Sequence, residues 1–346
     1  NPNVLLSGSD GGLHRTENCL APFVDWDRLN NGSATTQFYT AIIDKTASGD
    51  SMLMGGLQDN GNFFVNSTAS NALWKQTVNG DGSFGGVAPG KAFYVLSIQQ
   101  GRVAKVNMDA QGNVLAFRRI DPVGRVKSDY QFINPLAMDP SDANILYLPA
   151  GRKFYRQNEL GAINLTGEWD SIAQGWTQFP DTLDTGEFSA VAVSQANPAH
   201  RVYLGSSSNR IYRIDNANTG TPALTKLTSP IANSAANVNC IAVDPTNADR
   251  IVVVYSNYNI YSIFLSENGG TSWKKVGGNL EGNVGGSVAA PSIRWVSIMP
   301  FQNGQYKYFC GTSVGLYSAD TLILHSATSA GTQWTQEAPN TIGTAV

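Results

Sequence analysis

Three aspartates sit in glycine-rich strings that would present a carboxylate at a turn. They are Asp10 in Gly8-Ser9-Asp10-Gly11-Gly12-Leu13, Asp59 in Gly55-Gly56-Leu57-Gln58-Asp59-Asn60-Gly61, and Asp81 in Asn79-Gly80-Asp81-Gly82. A carboxylate so placed can serve as a general acid or base, or hold a hard cation through oxygen. The same residue types also build turns, in which Asp bonds its own backbone and Gly supplies positive φ, and this plainer reading carries more weight.

Other chemistry is thinly represented. His14, His200 and His325 are far apart, and none has a second His or Cys at ligand spacing, so no zinc site is expected. Calcium could be held by Asp10, Asp59 or loop carbonyls, but nothing in the sequence specifies it, and no cofactor is expected. No phosphate loop or nucleophile elbow is present. Cys19, Cys240 and Cys310 are too few for a disulfide scaffold and are read as free thiols.

The elements that position these groups follow from composition and repeats. The 346 residues carry 23 Lys+Arg against 26 Asp+Glu, a formal charge of -3, which is no nucleic-acid footprint. Hydrophobic residues make up 42% and aromatics 10%, enough for a large core, so disorder is excluded. The longest apolar stretches, such as Ile251 to Tyr255 and Ile293 to Pro300, fall far short of the roughly 18 residues of a membrane-spanning helix, so direct insertion is not expected. No charged, then apolar, leader opens the chain, which reads as a mature segment or an excised domain, with other domains of a larger polypeptide expected as partners.

One pattern recurs: an alternating apolar strand, a turn that often holds Pro, then a second strand. Leu136-Ala137-Met138-Asp139-Pro140 precedes Ile145 to Leu148, Ile241-Ala242-Val243-Asp244-Pro245 precedes Ile251 to Val254, and Val296 to Pro300 precedes Tyr306 to Phe309. A third strand follows each time, as in Phe154-Tyr155-Arg156, Ile211-Tyr212-Arg213 and Leu316-Tyr317-Ser318. Trp26, Trp74, Trp176, Trp273 and Trp334 close units after Gly/Asn/Ser-rich turns. Seven such units in 346 residues give a period near 49, the mark of four-stranded propeller blades rather than a helical solenoid.

The expected fold is therefore all-β: one seven-bladed β-propeller over 1–346, made of four-stranded antiparallel blades. The blades are expected over 1–30 plus 340–346, 37–76, 84–120, 131–180, 187–228, 237–278 and 292–338. Residues 340–346 read as a first strand that pairs with the N-terminal strands and closes the ring, removing an open edge.

Ser266-Glu267-Asn268-Gly269-Gly270-Thr271-Ser272-Trp273 resembles the Asp-box (S-x-D-x-G-x-T-W, found in BNR repeats) of sialidases, sortilin-like ectodomains and xyloglucanases, with Asn268 at the Asp position. The glycine-rich strings around Asp10 and Asp59 are similar to loops of secreted bacterial propellers of this kind. In those families the box is structural, which implies that Ser266, Asn268, Gly270 and Trp273 brace a hairpin. The string around Asp10 also resembles the loop that carries a catalytic Asp in xyloglucanases, with Gly8 and Ser9 departing from it. This implies an alternative, an Asp-dependent endo-acting glycoside hydrolase drawing on Asp10, Asp59 and Asp81. Such an enzyme needs two carboxylates about 5 to 5.5 Å apart if retaining, or about 6.5 to 9.5 Å if inverting.

In a propeller, the loops leading into first strands share one face with the loops between second and third strands. On that face the sequence places Tyr39, Gln100, Tyr130, Arg152, Phe188, Tyr258, Arg294 and Trp295. Aromatic plates beside amides and hydroxyls suit sugar faces or an extended peptide. The favoured expectation is a non-catalytic recognition or scaffold propeller of a secreted or cell-surface bacterial protein that binds a glycan or a protein partner. Asp170-Ser171-Ile172, Asp181-Thr182-Leu183 and Asp320-Thr321-Leu322 resemble bacterial O-glycosylation triplets and lean weakly toward export.

Overall fold

The computed structural model describes residues 2–9, 12–29, 37–232, 235–281, 290–326, 328–340 and 342. Among these, secondary structure is all β apart from short 3-10 turns. Seven antiparallel sheets follow one another along the chain.

Sheet 1 has three strands, Leu5–Ser9, Gly12–Thr16 and Asp27–Arg28. The other six have four strands each, in chain order from one edge to the other. Sheet 2 is Phe38–Ile42, Met52–Leu57, Gly61–Asn66 and Lys75–Val78, and sheet 3 is Gly82–Val87, Tyr94–Ile98, Arg102–Met108 and Val114–Arg119. Sheet 4 is Ala137–Asp139, Asp142–Ala150, Lys153–Gln157 and Trp176–Gln178, and sheet 5 is Phe188–Val193, Val202–Ser206, Ile211–Ile214 and Thr225–Lys226. Sheet 6 is Val238–Asp244, Asn247–Tyr255, Ile263–Ser266 and Lys274–Lys275, and sheet 7 is Ile293–Pro300, Tyr306–Thr312, Gly315–Ala319 and Thr335–Gln336. A small hairpin, His325–Ser326 with Ser329–Ala330, is inserted before the last strand of sheet 7. The expected closing strand over 340–346 lies mostly outside the described residues.

By contacts the chain forms two compact units. Asn1–Asp121 with Asn164–Ile172 holds sheets 1 to 3, and Pro122–Ile163 with Ala173–Val346 holds sheets 4 to 7. In the first unit, residues 164–172 line the outer strand of sheet 3. Gly167 N donates to Phe117 O at 2.8 Å, Arg119 N donates to Glu168 O at 3.1 Å, and Trp169 meets Phe117 edge-on at 5.9 Å.

Within each unit the core lies between successive sheets, because alternation sends every second side chain of a strand toward its neighbour. Met54 and Phe64 of sheet 2 pack with Tyr94, Leu96 and Val106 of sheet 3. Tyr147 and Phe154 of sheet 4 pack with Phe188, Leu204 and Tyr212 of sheet 5. Tyr203 and Ile211 of sheet 5 meet Val238 and Val253 of sheet 6, whose Val252 and Leu265 meet Val296, Tyr308 and Trp334 of sheet 7. Each fully buried side chain of this size contributes roughly 1.5–3 kcal/mol.

The turn after the first strand repeats one device. Asp44 Oδ1 accepts from Thr46 N at 2.9 Å, Asp139 Oδ1 from Ser141 N at 2.9 Å, and Asp244 Oδ1 from Thr246 N at 2.8 Å. Each is an Asx turn, in which a short carboxylate satisfies the backbone that reverses. The tryptophans also repeat: Trp26, Trp74, Trp273 and Trp334 immediately precede the outer strand of their sheets, and Trp176 opens its own.

Candidate functional site

Sheets 2 and 3 meet through glycine at one end. A Cβ on Gly82 would stand 2.1 Å from Gly61 O and 2.7 Å from Gly56 Cα, and one on Gly56 would stand 2.3 Å from Ser83 O. Only glycine lets two backbones come this close. Thr40 Oγ1 donates to Ser83 O at 2.8 Å across the same joint.

This approach brings the two candidate aspartates of these sheets together. Asp59 occupies the turn between the second and third strands of sheet 2, with φ at +55°. Its backbone N–H donates to Asp81 Oδ1 at 2.9 Å, while Asp81 N donates to Gln99 Oε1 at 2.9 Å. Asp81 is buried and Asp59 is exposed. Tyr39 lies alongside: partial burial and then the Asp81 and Asp59 carboxylates raise its phenol above the ordinary value. One Asp81 oxygen is thus already committed to holding a neighbouring turn. Asp10 lies outside the described residues.

Sheets 6 and 7 carry a different surface. Ser292 Oγ, just before the first strand of sheet 7, donates to Ser256 O at 2.7 Å, which ties that entry to the 256–259 loop of sheet 6. Asn237 N donates to Asn257 Oδ1 at 2.6 Å, and Ser313 N donates to Ser292 O at 2.9 Å. Asn239 Nδ2 donates to Arg294 O at 2.6 Å. On this polar frame Tyr258 is 58% and Trp295 44% exposed, and Arg294 is exposed as well. Large aromatic groups left in water beside fixed amides and hydroxyls form a surface suited to a ring-shaped or extended ligand.

The remaining expected face residues are placed differently. Phe188 is 1% exposed inside the core between sheets 4 and 5, because its first-strand position points it at Phe154 and Tyr212. Tyr130 is also buried. The Arg152 guanidinium donates to Leu183 O through Nε at 2.8 Å and to Asp184 O through Nη2, so it serves to hold the loop before sheet 5. Gln100 is half-buried in a tight turn at φ +60°.

The Ser266–Trp273 hairpin is closed by its own side chains. Ser266 Oγ accepts from Asn268 N at 3.3 Å and Gly270 N at 2.8 Å, and Asn268 Oδ1 accepts from Ser272 N at 2.9 Å. Gly269 and Gly270 take φ of +65° and +87°. Trp273 Nε1 reaches Thr228 O at 2.7 Å, fastening sheet 6 to the outer loop of sheet 5.

One feature of the face is not legible in the sequence. The first strands of sheets 2, 5, 6 and 7 each begin with a register shift, at Phe38/Thr40, Phe188/Ala190, Val238/Cys240 and Ile293/Trp295. The extra residues are Tyr39, Ser189, Asn239 and Arg294, and sheet 3 has a longer irregularity between Gly82 and Gly85. A bulge re-aims one side chain while pairing continues on both sides. No composition cue marks it, because the extruded residues share no chemistry; they share only their place as the second residue of the first strand.

No protein-family model matches this chain, and no curated protein matches it in sequence. Among solved structures it is similar to the β-propeller YCF48 from Cyanidioschyzon merolae, with a TM-score of 0.53 and 12% sequence identity over 99% of this chain and 93% of that one. At that identity the likeness speaks to architecture alone. Successive four-stranded antiparallel sheets with interleaved cores and this match together make the chain a β-propeller.

Proposed function

We propose that this propeller is a non-catalytic recognition module of an exported protein, and that it binds a glycan through the loop face of sheets 6 and 7. The observation that carries this reading is the pair Tyr258 and Trp295. Both are substantially exposed, and both stand on segments cross-linked by the Ser292–Ser256 and Asn239–Arg294 hydrogen bonds. A surface of this kind is preorganised, so little side-chain ordering opposes binding. The loose Asp-Ser/Thr-apolar triplets support export and nothing stronger.

The hydrolase reading draws on Asp59 and Asp81. Against it stands the hydrogen bond from the Asp59 amide to Asp81, which gives the buried carboxylate a turn-holding task. The test is a glycan array followed by assay for new reducing ends. The reading expects binding without product, weakened by the Trp295→Ala and Tyr258→Ala double variant; binding unchanged in that variant refutes the assigned face.

A further inference from the structure

Arg294 stands apart from the other arginines of its unit. Within Pro122–Ile163 and Ala173–Val346 there are eight arginines, and seven are engaged by protein groups. Arg125 pairs with Asp129, Arg201 with Asp215 and Asp249, Arg210 with Asp184, and Arg213 with Asp215. Arg152 and Arg156 donate to backbone carbonyls, and Arg250 to the Tyr308 hydroxyl. The Arg294 guanidinium has no hydrogen-bond or carboxylate partner among the described residues, and it is exposed.

Its position follows from the bulges. Ser189 Oγ donates to Val238 O at 2.6 Å, linking sheet 5 to sheet 6, and Asn239 Nδ2 donates to Arg294 O at 2.6 Å, linking sheet 6 to sheet 7. Each extruded side chain is spent on the next sheet's backbone, and in the second unit the series ends at Arg294. The Asn239 bond fixes the Arg294 backbone while leaving its side chain uncommitted. Segments 237–239, 256–259, 292–295 and 312–314, which frame this surface, contain no acidic residue and no second cation.

Resting on the reading that this face binds a glycan, we infer that the ligand is an acidic polysaccharide whose uronate carboxylate is gripped by Arg294 while its sugar rings lie against Trp295 and Tyr258. The planar guanidinium fork matches a carboxylate in two parallel hydrogen bonds. The neutral frame of Asn237, Asn257, Ser256 and Ser313 complements hydroxyl groups. Two exposed aromatic plates beside a single cation favour a chain of rings with one carboxylate held at the cation over a run of acidic peptide side chains, which would offer the plates no rings.

The experiment measures binding of the whole domain to polygalacturonate, to the same polymer after carboxyl reduction, and to poly-glutamate, for wild type, Arg294→Gln, Arg294→Lys and Trp295→Ala. The expected result is that wild type prefers polygalacturonate over its reduced form by about tenfold or more, as one charge-assisted pair supplies. Arg294→Gln removes that preference, so that polygalacturonate binds no more tightly than its reduced form, and Arg294→Lys keeps only part of it. Equal affinity for both polymers, lost in Trp295→Ala, overturns the assignment to Arg294 and leaves glycan recognition standing. Arg294-dependent binding of poly-glutamate alone overturns the choice of a polysaccharide. Failure to bind any of the three overturns the inference together with the reading beneath it.

Discussion

The backbone amide of Asp59 donates to the carboxylate of Asp81 across the joint between two sheets, at 2.9 Å. Two of the three candidate carboxylate residues are thus joined, one as a turn and the other as the acceptor of its amide. The glycine contact between Gly56, Gly61 and Gly82 makes this possible by letting the sheets approach at backbone distance.

Replacing Asp81 therefore separates charge from hydrogen bonding. Asp81→Asn keeps the Oδ1 acceptor and is expected to fold with nearly unchanged stability. Asp81→Ala removes the acceptor of this part-buried bond and is expected to cost about 1 kcal/mol in urea unfolding. Equal stability of the two variants would contradict the anchoring role.

The glycine joint is open to a sharper perturbation. The Cβ in Gly82→Ala meets backbone atoms of Gly61 and Gly56, which cannot rotate away. A loss of about 1–3 kcal/mol or more is expected. Gly90→Ala, where an added Cβ meets nothing within 4 Å, serves as a space control, although its φ of +64° carries its own strain. A variant at Gly82 as stable as wild type would show that the sheets sit farther apart.

Glu281 predicts a pH effect. Its Oε1 accepts from Ser262 N at 2.7 Å and Ile263 N at 3.1 Å, while Oε2 is buried with no partner among the described residues, and burial raises its pKa above the ordinary carboxylate value despite those amides. The folded state thus favours the protonated form. That contribution is present below the ordinary pKa of about 4.5 and is lost as pH rises through the raised value. Glu281→Gln keeps an acceptor for both amides, so its stability relative to wild type is expected to improve as pH climbs from 4 to 7. A constant difference across that range would count against a buried charge at this position.

The thiols offer a probe of packing. Cys240 and Cys310 are buried in the core between sheets 6 and 7, where burial pushes the Cys240 thiol up to about 12 and raises that of Cys310 as well. Cys19 is half-buried. Labelling near pH 8 is expected to modify Cys19 alone in the native protein and all three after denaturation. Rapid native modification of Cys240 or Cys310 would mean that this core opens.

The repeat is readable in the sequence because strand alternation recurs throughout, Asx turns recur in sheets 2, 4 and 6, and tryptophans mark the outer strands of sheets 1, 2, 4, 6 and 7. Asp139-Pro140 and Asp244-Pro245 marked turns, and both aspartates cap those turns in the structure. The candidate face was readable only as a set of loops. Phe188 and Arg294 both lie at the start of first strands, yet Phe188, like Ile293 in sheet 7, precedes the bulge and stays in the core, while Arg294, like Ser189 in sheet 5, is the extra residue that the bulge extrudes. A one-residue register shift exchanges faces, and nothing in residue type announces it. Arg152 looked equally available, but its use by Leu183 O depends on a loop 31 residues away in sequence.

The most direct test of recognition without catalysis is a single incubation of the domain with neutral and acidic glycans, reading retention on the polymer and release of reducing ends together. The account predicts retention that falls when Trp295 and Tyr258 are both changed to alanine, with no reducing ends above the protein-free control. Reducing ends that accumulate with wild type and vanish with Asp81→Asn or Asp59→Asn would contradict it.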